Sequence, residues 1–127
     1  MKNFLLPGLL LGLTACGQTS QEKLTDALKT TRSWAATAQM VGEAWQQGNV
    51  PDRYTQQTLV KSQQEIDKSI QEINTKNRTL QNLKQTLQEM VTCVEQHDKE
   101  KITLSLQQIK LEQQQIEDWA KIQGEQS

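Results

Sequence analysis

Turn-forming residues are scarce in this sequence, which has 2 Pro and 6 Gly in 127 residues. Aromatic residues make up only 4% of it, and β-branched runs are missing. A β-sandwich or barrel needs many short strands bounded by turn residues, so that class is excluded. One His and the lack of a glycine-rich loop leave little material for catalysis or phosphate binding. An excess of one charge is absent too: 14 Lys+Arg stand against 15 Asp+Glu. A nucleic-acid binder normally carries a basic face, so none is expected here. No apolar run approaches the roughly 20 residues a membrane-spanning helix needs. The length allows one domain rather than two.

What the chain does have is glutamine, 21 residues of it, and a distinctive start. Met1-Lys2-Asn3 is followed by an apolar stretch, Phe4 to Leu13, and then by Thr14-Ala15-Cys16-Gly17. One positive charge, a short apolar core and small residues form the three-part layout of a secretory signal. Leu13-Thr14-Ala15-Cys16 resembles the lipobox of bacterial lipoproteins. The resemblance implies that residues 1–15 are a cleaved signal peptide and that Cys16 becomes the lipid-bearing first residue of the mature chain. Several acyl chains on one residue make release from a membrane very slow. Gly17 differs from the Asp that resembles an inner-membrane retention signal, which favours the outer membrane. The expected localisation is therefore the bacterial cell envelope, with the protein membrane-anchored by lipid on the periplasmic or surface side. Residues 16–20 form a lipidated tether, and 21–123 a single helical domain.

The mature chain reads as all-α. Thr19 with Glu22 three residues later suits a capping box, which starts a helix at about residue 20. Leu24, Ala27, Thr31, Trp34, Ala38, Val41 and Trp45 draw one face at steps of three and four. Ala35, Ala38 and Gly42 offer a partner helix a close approach. Gly48-Asn49-Val50-Pro51 ends that helix and opens the next, since Gly takes the left-handed cap and Pro suits a first turn. From there Leu59, Ile66, Ile73, Leu80, Leu87 and Val94 recur every seven residues, a coiled-coil-like seam.

Asn74-Thr75-Lys76-Asn77-Arg78 has no apolar residue, yet the seven-residue phase runs through it from Ile73 to Leu80. That preserved phase favours one continuous helix over 52–97. The seam shifts only at 95–101, where Asp98 is placed to cap a last helix with Ile102, Leu106, Ile109, Ile116 and Ala120 on its inner face. The expected architecture is an elongated antiparallel helical bundle, coiled-coil-like, with a long central helix. A compact four-helix bundle with an extra turn at 74–78 is the alternative.

Candidate chemistry is thin. Cys93 and His97 lie four residues apart and would share a helix face, with Glu89 and Glu100 a turn to either side. Thiolate and imidazole suit zinc or copper, so the two are weak metal candidates, although a structural zinc site normally has four Cys or His ligands. Cys93 is also the odd thiol once Cys16 is lipidated, which suggests a buried thiol or an inter-chain bridge. Trp34, Trp45 and Trp119 sit at core spacing. No Ser/His/Asp or Cys/His catalytic arrangement is legible, and no catalytic residue, resident metal or cofactor is expected.

The expected function is that of a non-enzymatic interaction or scaffold module in the envelope, acting through helix faces. It would hold the membrane by its lipid anchor and meet an envelope protein partner. A structural lipoprotein that self-associates through the heptad seam is the alternative, and a metal or small-ligand carrier is a third reading.

Overall fold

A computed structural model describes residues 20–126 and is all-helical over them. Four helices follow one another: α1 (Ser20–Gln46), α2 (Asp52–Ile73), α3 (Arg78–Glu95) and α4 (Ile102–Gln126). Each packs against its chain neighbours, and α4 closes the ring on α1. The α1–α3 diagonal touches only slightly, and α2 and α4 stay apart. Short connections and this circuit define an up-down-up-down four-helix bundle.

The continuous helix expected over 52–97 is therefore two helices, α2 and α3, and the long central spine is replaced by a hairpin. Two asparagines cause the break. Asn74 takes the left-handed conformation (φ 47°, ψ 51°) and donates its N–H to the Gln71 carbonyl. Asn is one of the few residues with a Cβ that enters this region readily. Asn77 then caps α3, its side-chain oxygen accepting from Leu80 N at 3.2 Å, and the Thr75 hydroxyl accepts from Asn77 N at 3.2 Å. The seven-residue phase survives because both helices turn the same seam to the same core. Leu59, Ile66, Leu80, Leu87 and Val94 are fully buried, and Ile73 packs against the core beside the turn.

The other two connections end in matching caps. Asn49 N donates to Ala44 O and Gly48 N to Trp45 O, a Schellman motif with Gly48 at φ 79°. The end of α3 repeats it: Asp98 N donates to Cys93 O and His97 N to Val94 O, with His97 at φ 55°. Asp98 accepts from Lys101 N at 3.0 Å and so caps the approach to α4, as its position in the sequence suggested. Helix α4 continues to Gln126, past Gly124.

The inner face of α1 matches expectation closely. Ala27, Ala35, Ala38, Val41 and Trp45 are buried, while Leu24 and Trp34 pack partly buried against the core. Trp119 does the same from α4. Gly42 is where α1 meets both α3 and α4: a Cβ there would lie 2.7 Å from Met90 Cε and 3.0 Å from Leu106 Cδ2. Two buried hydroxyls bond to backbone one turn back on their own segment, Thr55 donating to Pro51 O and Ser62 to Thr58 O, so these residues pack as small side chains.

Gly42 gives a direct test of the packing. Alanine there gains about 1 kcal/mol of helix propensity, and the flexible Met90 tip can yield, so Gly42→Ala changes unfolding free energy by less than about 1 kcal/mol. Valine cannot be accommodated by one methyl moving, and Gly42→Val destabilises by about 1–3 kcal/mol through overpacking. Urea unfolding of the two variants checks both values.

Candidate functional site

Cys16, expected to carry lipid, the expected signal 1–15 and most of the expected tether 16–20 lie outside the described residues. The two metal candidates are described, and they do not form a pair. Helix α3 ends at Glu95, and the left-handed turn at His97 removes the shared face that four-residue spacing would give. Cys93 stays inside the core, 2% exposed. Burial is the main cause that pushes its thiol up, Lys101 opposes this, and Asp98 and Glu89 add to it. A thiol held protonated is a poor metal ligand and nucleophile. Its burial also fits the packed-thiol reading rather than the inter-chain bridge.

His97 instead faces the α1–α2 connection, with Nδ1 2.9 Å from Asp52 Oδ2. The other oxygen of Asp52 accepts from Trp45 Nε1 at 2.6 Å. Lys99 lies over the Trp45 ring at 5.4 Å, and Gln46 Nε2 donates to Lys99 O at 2.9 Å. These contacts tie the connections 47–51 and 96–101 together at one end of the bundle. Among the described residues no group of three or more His, Cys, Asp and Glu is arranged to hold a metal ion.

The unusual chemistry lies elsewhere, in Glu112. Helix α4 presents Ile102, Ser105, Ile109, Glu112 and Ile116 inward at alternating steps of three and four, and all five are buried. A carboxyl group thus occupies an apolar register position with no exposure at all. Oε2 accepts from the Thr86 hydroxyl and from Gln108 Nε2, both at 3.0 Å. Among the described residues Oε1 has no hydrogen-bond partner. Burial is the largest cause raising the Glu112 carboxyl above its usual range. The bonds from Gln108 and Thr86 pull it back, and the charge of Glu89 adds to the rise.

Glu112, Thr86 and Gln108 line a groove of about 320 Å³ between α3 and α4, together with Asn82, Gln85, Glu89 and Leu104. A second groove of about 420 Å³ adjoins it, sharing Gln85, Glu89 and Leu104 and reaching Thr92, Cys93 and Lys101. Sequence reasoning missed Glu112 among the glutamines of α4. The available signal was its position, three residues after Ile109 and four before Ile116. The chain matches no family model, no curated protein and no solved structure.

The raised carboxyl makes stability depend on pH. The folded state holds the Glu112 proton more tightly than the unfolded chain does, so its contribution is fully present below the ordinary value of 4.5. It is lost as pH rises from there through the higher folded value. Glu112→Gln keeps the acceptor for Thr86 and Gln108 and removes the titration. Urea unfolding across this range is expected to show the wild type losing stability relative to Glu112→Gln as pH increases. Parallel curves would contradict the assignment.

Proposed function

We propose that this chain is a lipid-anchored protein of the bacterial cell envelope that works without catalysis, as an interaction or scaffold module presenting helix faces. The observation that carries this reading is the lipobox-like Leu13-Thr14-Ala15-Cys16 standing only four residues before the start of α1 at Ser20. Four extended residues reach about 14 Å at most. An anchor at Cys16 would therefore hold the start of α1 near the membrane surface. The connection 74–77 and the end of α4 share that end of the bundle, and Gln21 Nε2 donates to Gln123 O at 2.9 Å there. The laced connections 47–51 and 96–101 would face outward, about 40 Å away along a 27-residue helix. Gly17 after the cysteine favours the outer membrane.

The absence of a catalytic arrangement in the sequence and the closed core support an interaction role. Among the described residues no helix is long and apolar enough to cross a membrane, so a lipid anchor would be the attachment these segments lack. Self-association through the heptad seam has less support, because Leu59, Ile66, Leu80, Leu87 and Val94 are buried in the chain's own core. Leu104, Leu111 and Ile122 are exposed and recur on the outer side of α4, a face open to an envelope protein partner.

Metabolic labelling with a palmitate analogue tests the reading. The wild type is expected to take up label and sediment with membranes, and Cys16→Ala is expected to do neither. Labelling that persists in Cys16→Ala, or an unlabelled wild type, would overturn the proposal.

A further inference from the structure

We propose that the α3–α4 groove binds a linear aliphatic ammonium ion, its charged head set between the carboxylates of Glu112 and Glu89. The argument begins with the orphan oxygen. A buried carboxylate normally has hydrogen-bond partners on both oxygens, because an unpartnered buried polar atom costs free energy. Glu112 places both of its partners, Thr86 and Gln108, on Oε2 and leaves Oε1 with none.

The surroundings select for positive charge. Among the described residues two acids and no base line the groove, with Asn82, Gln85, Thr86 and Gln108 as its neutral polar groups and Leu104 as its apolar one. The Gln85 amide nitrogen is turned to Glu89 at 3.5 Å, so its carbonyl oxygen is left to accept. An ammonium has three N–H donors and no acceptor, which matches this set. Gln108, exposed at the rim, covers the buried Glu112 and gives Oε2 a hydrogen bond from a neutral donor; when Gln108 swings out, an ammonium head takes its place and adds a full opposite charge to the bond. A cation there also offsets burial and the charge of Glu89, the two influences that raise the Glu112 carboxyl.

Shape separates an amine from a metal ion. A hard dication takes 6–8 oxygen ligands in a tight cage. This groove brings two carboxylates together in a space of about 320 Å³, much larger than a bare ion. Leu104 is the apolar residue that lines both this groove and the neighbouring one, which runs on past Thr92 and Cys93 to Lys101. A methylene chain can lie along that side chain as the stem of a lysine lies on apolar surface.

Isothermal titration calorimetry on the purified full chain in a neutral detergent tests the proposal, with n-butylammonium and putrescine as probes at constant ionic strength. The expected result is saturable one-to-one binding of both amines, with calcium and sodium unable to compete at equal ionic strength. Glu112→Gln weakens binding by about tenfold or more through loss of the charge-assisted bond. Glu89→Gln, an exposed rim change that leaves the core intact, weakens it as well. Glu65→Gln, whose side chain pairs with Lys61 on α2, leaves it unchanged. Circular dichroism establishes that each variant is folded. No saturable heat with either amine up to about 10 mM, wild-type affinity in Glu89→Gln or in folded Glu112→Gln, or displacement by calcium would overturn the assignment. The result does not depend on whether Cys16 carries lipid, so it stands or falls apart from the envelope reading.

Discussion

Leu59, Ile66, Leu80, Leu87 and Val94 lose all contact with water when α2 and α3 fold back on each other and are covered by α1 and α4. Full burial of such a side chain stabilises by about 1.5–3 kcal/mol. Hydrophobic types are only 35% of the chain, so a second core is not available. A straight helix over 52–97 would leave α1 and α4 on separate halves of a long seam, each covering one side of it. The hairpin at 74–77 lets all four inner faces meet, and this closure fixes where every other feature sits.

Several consequences follow from that closure. Gly42 lies where α1 crosses the interior toward Met90 and Leu106, so the smallest residue occupies the tightest approach. Glutamine takes a role that charged residues usually share: Gln21 reaches Gln123, Gln113 reaches Gln39, and Gln63 reaches Gln88, each pair linking two helices. Ion pairs such as Lys84–Asp67 and Lys110–Glu43 lie alongside, half-exposed, where each is worth at most about 1 kcal/mol. The closure also sets Glu112 into the α3–α4 interface, where α4 has no apolar residue to offer at that register.

Much of this was legible in the sequence, for physical reasons that differ by element. The face of α1 and its glycine stop could be read because spacing and cap chemistry agree there. The break at 74–77 is not legible in the phase, because the seven-residue repeat runs unbroken from Ile73 to Leu80. Phase states which way side chains face, and a hairpin around one core faces them the same way. The composition of that stretch, two asparagines around Thr75 and Lys76, was the better guide, because Asn serves both the left-handed cap and the N-cap. The Cys93–His97 pairing failed for a related reason: spacing of four implies a shared face only while the helix continues, and α3 stops at Glu95. Glu112 was hidden by its polar neighbours, although its register marked it as inward-facing.

The central claim is that α2 and α3 form a hairpin, and a distance across it tests that claim most directly. Gln56 and Glu95 line one groove between the two helices. Spin labels at Gln56→Cys and Glu95→Cys, in a chain also carrying Cys16→Ala and Cys93→Ala, report their separation by pulsed dipolar spectroscopy. The hairpin predicts a distance below about 25 Å, given interaxial spacings of about 8–10 Å and the reach of the labels. A single helix through 74–77 would hold the same positions about 58 Å apart, and that result would contradict the account.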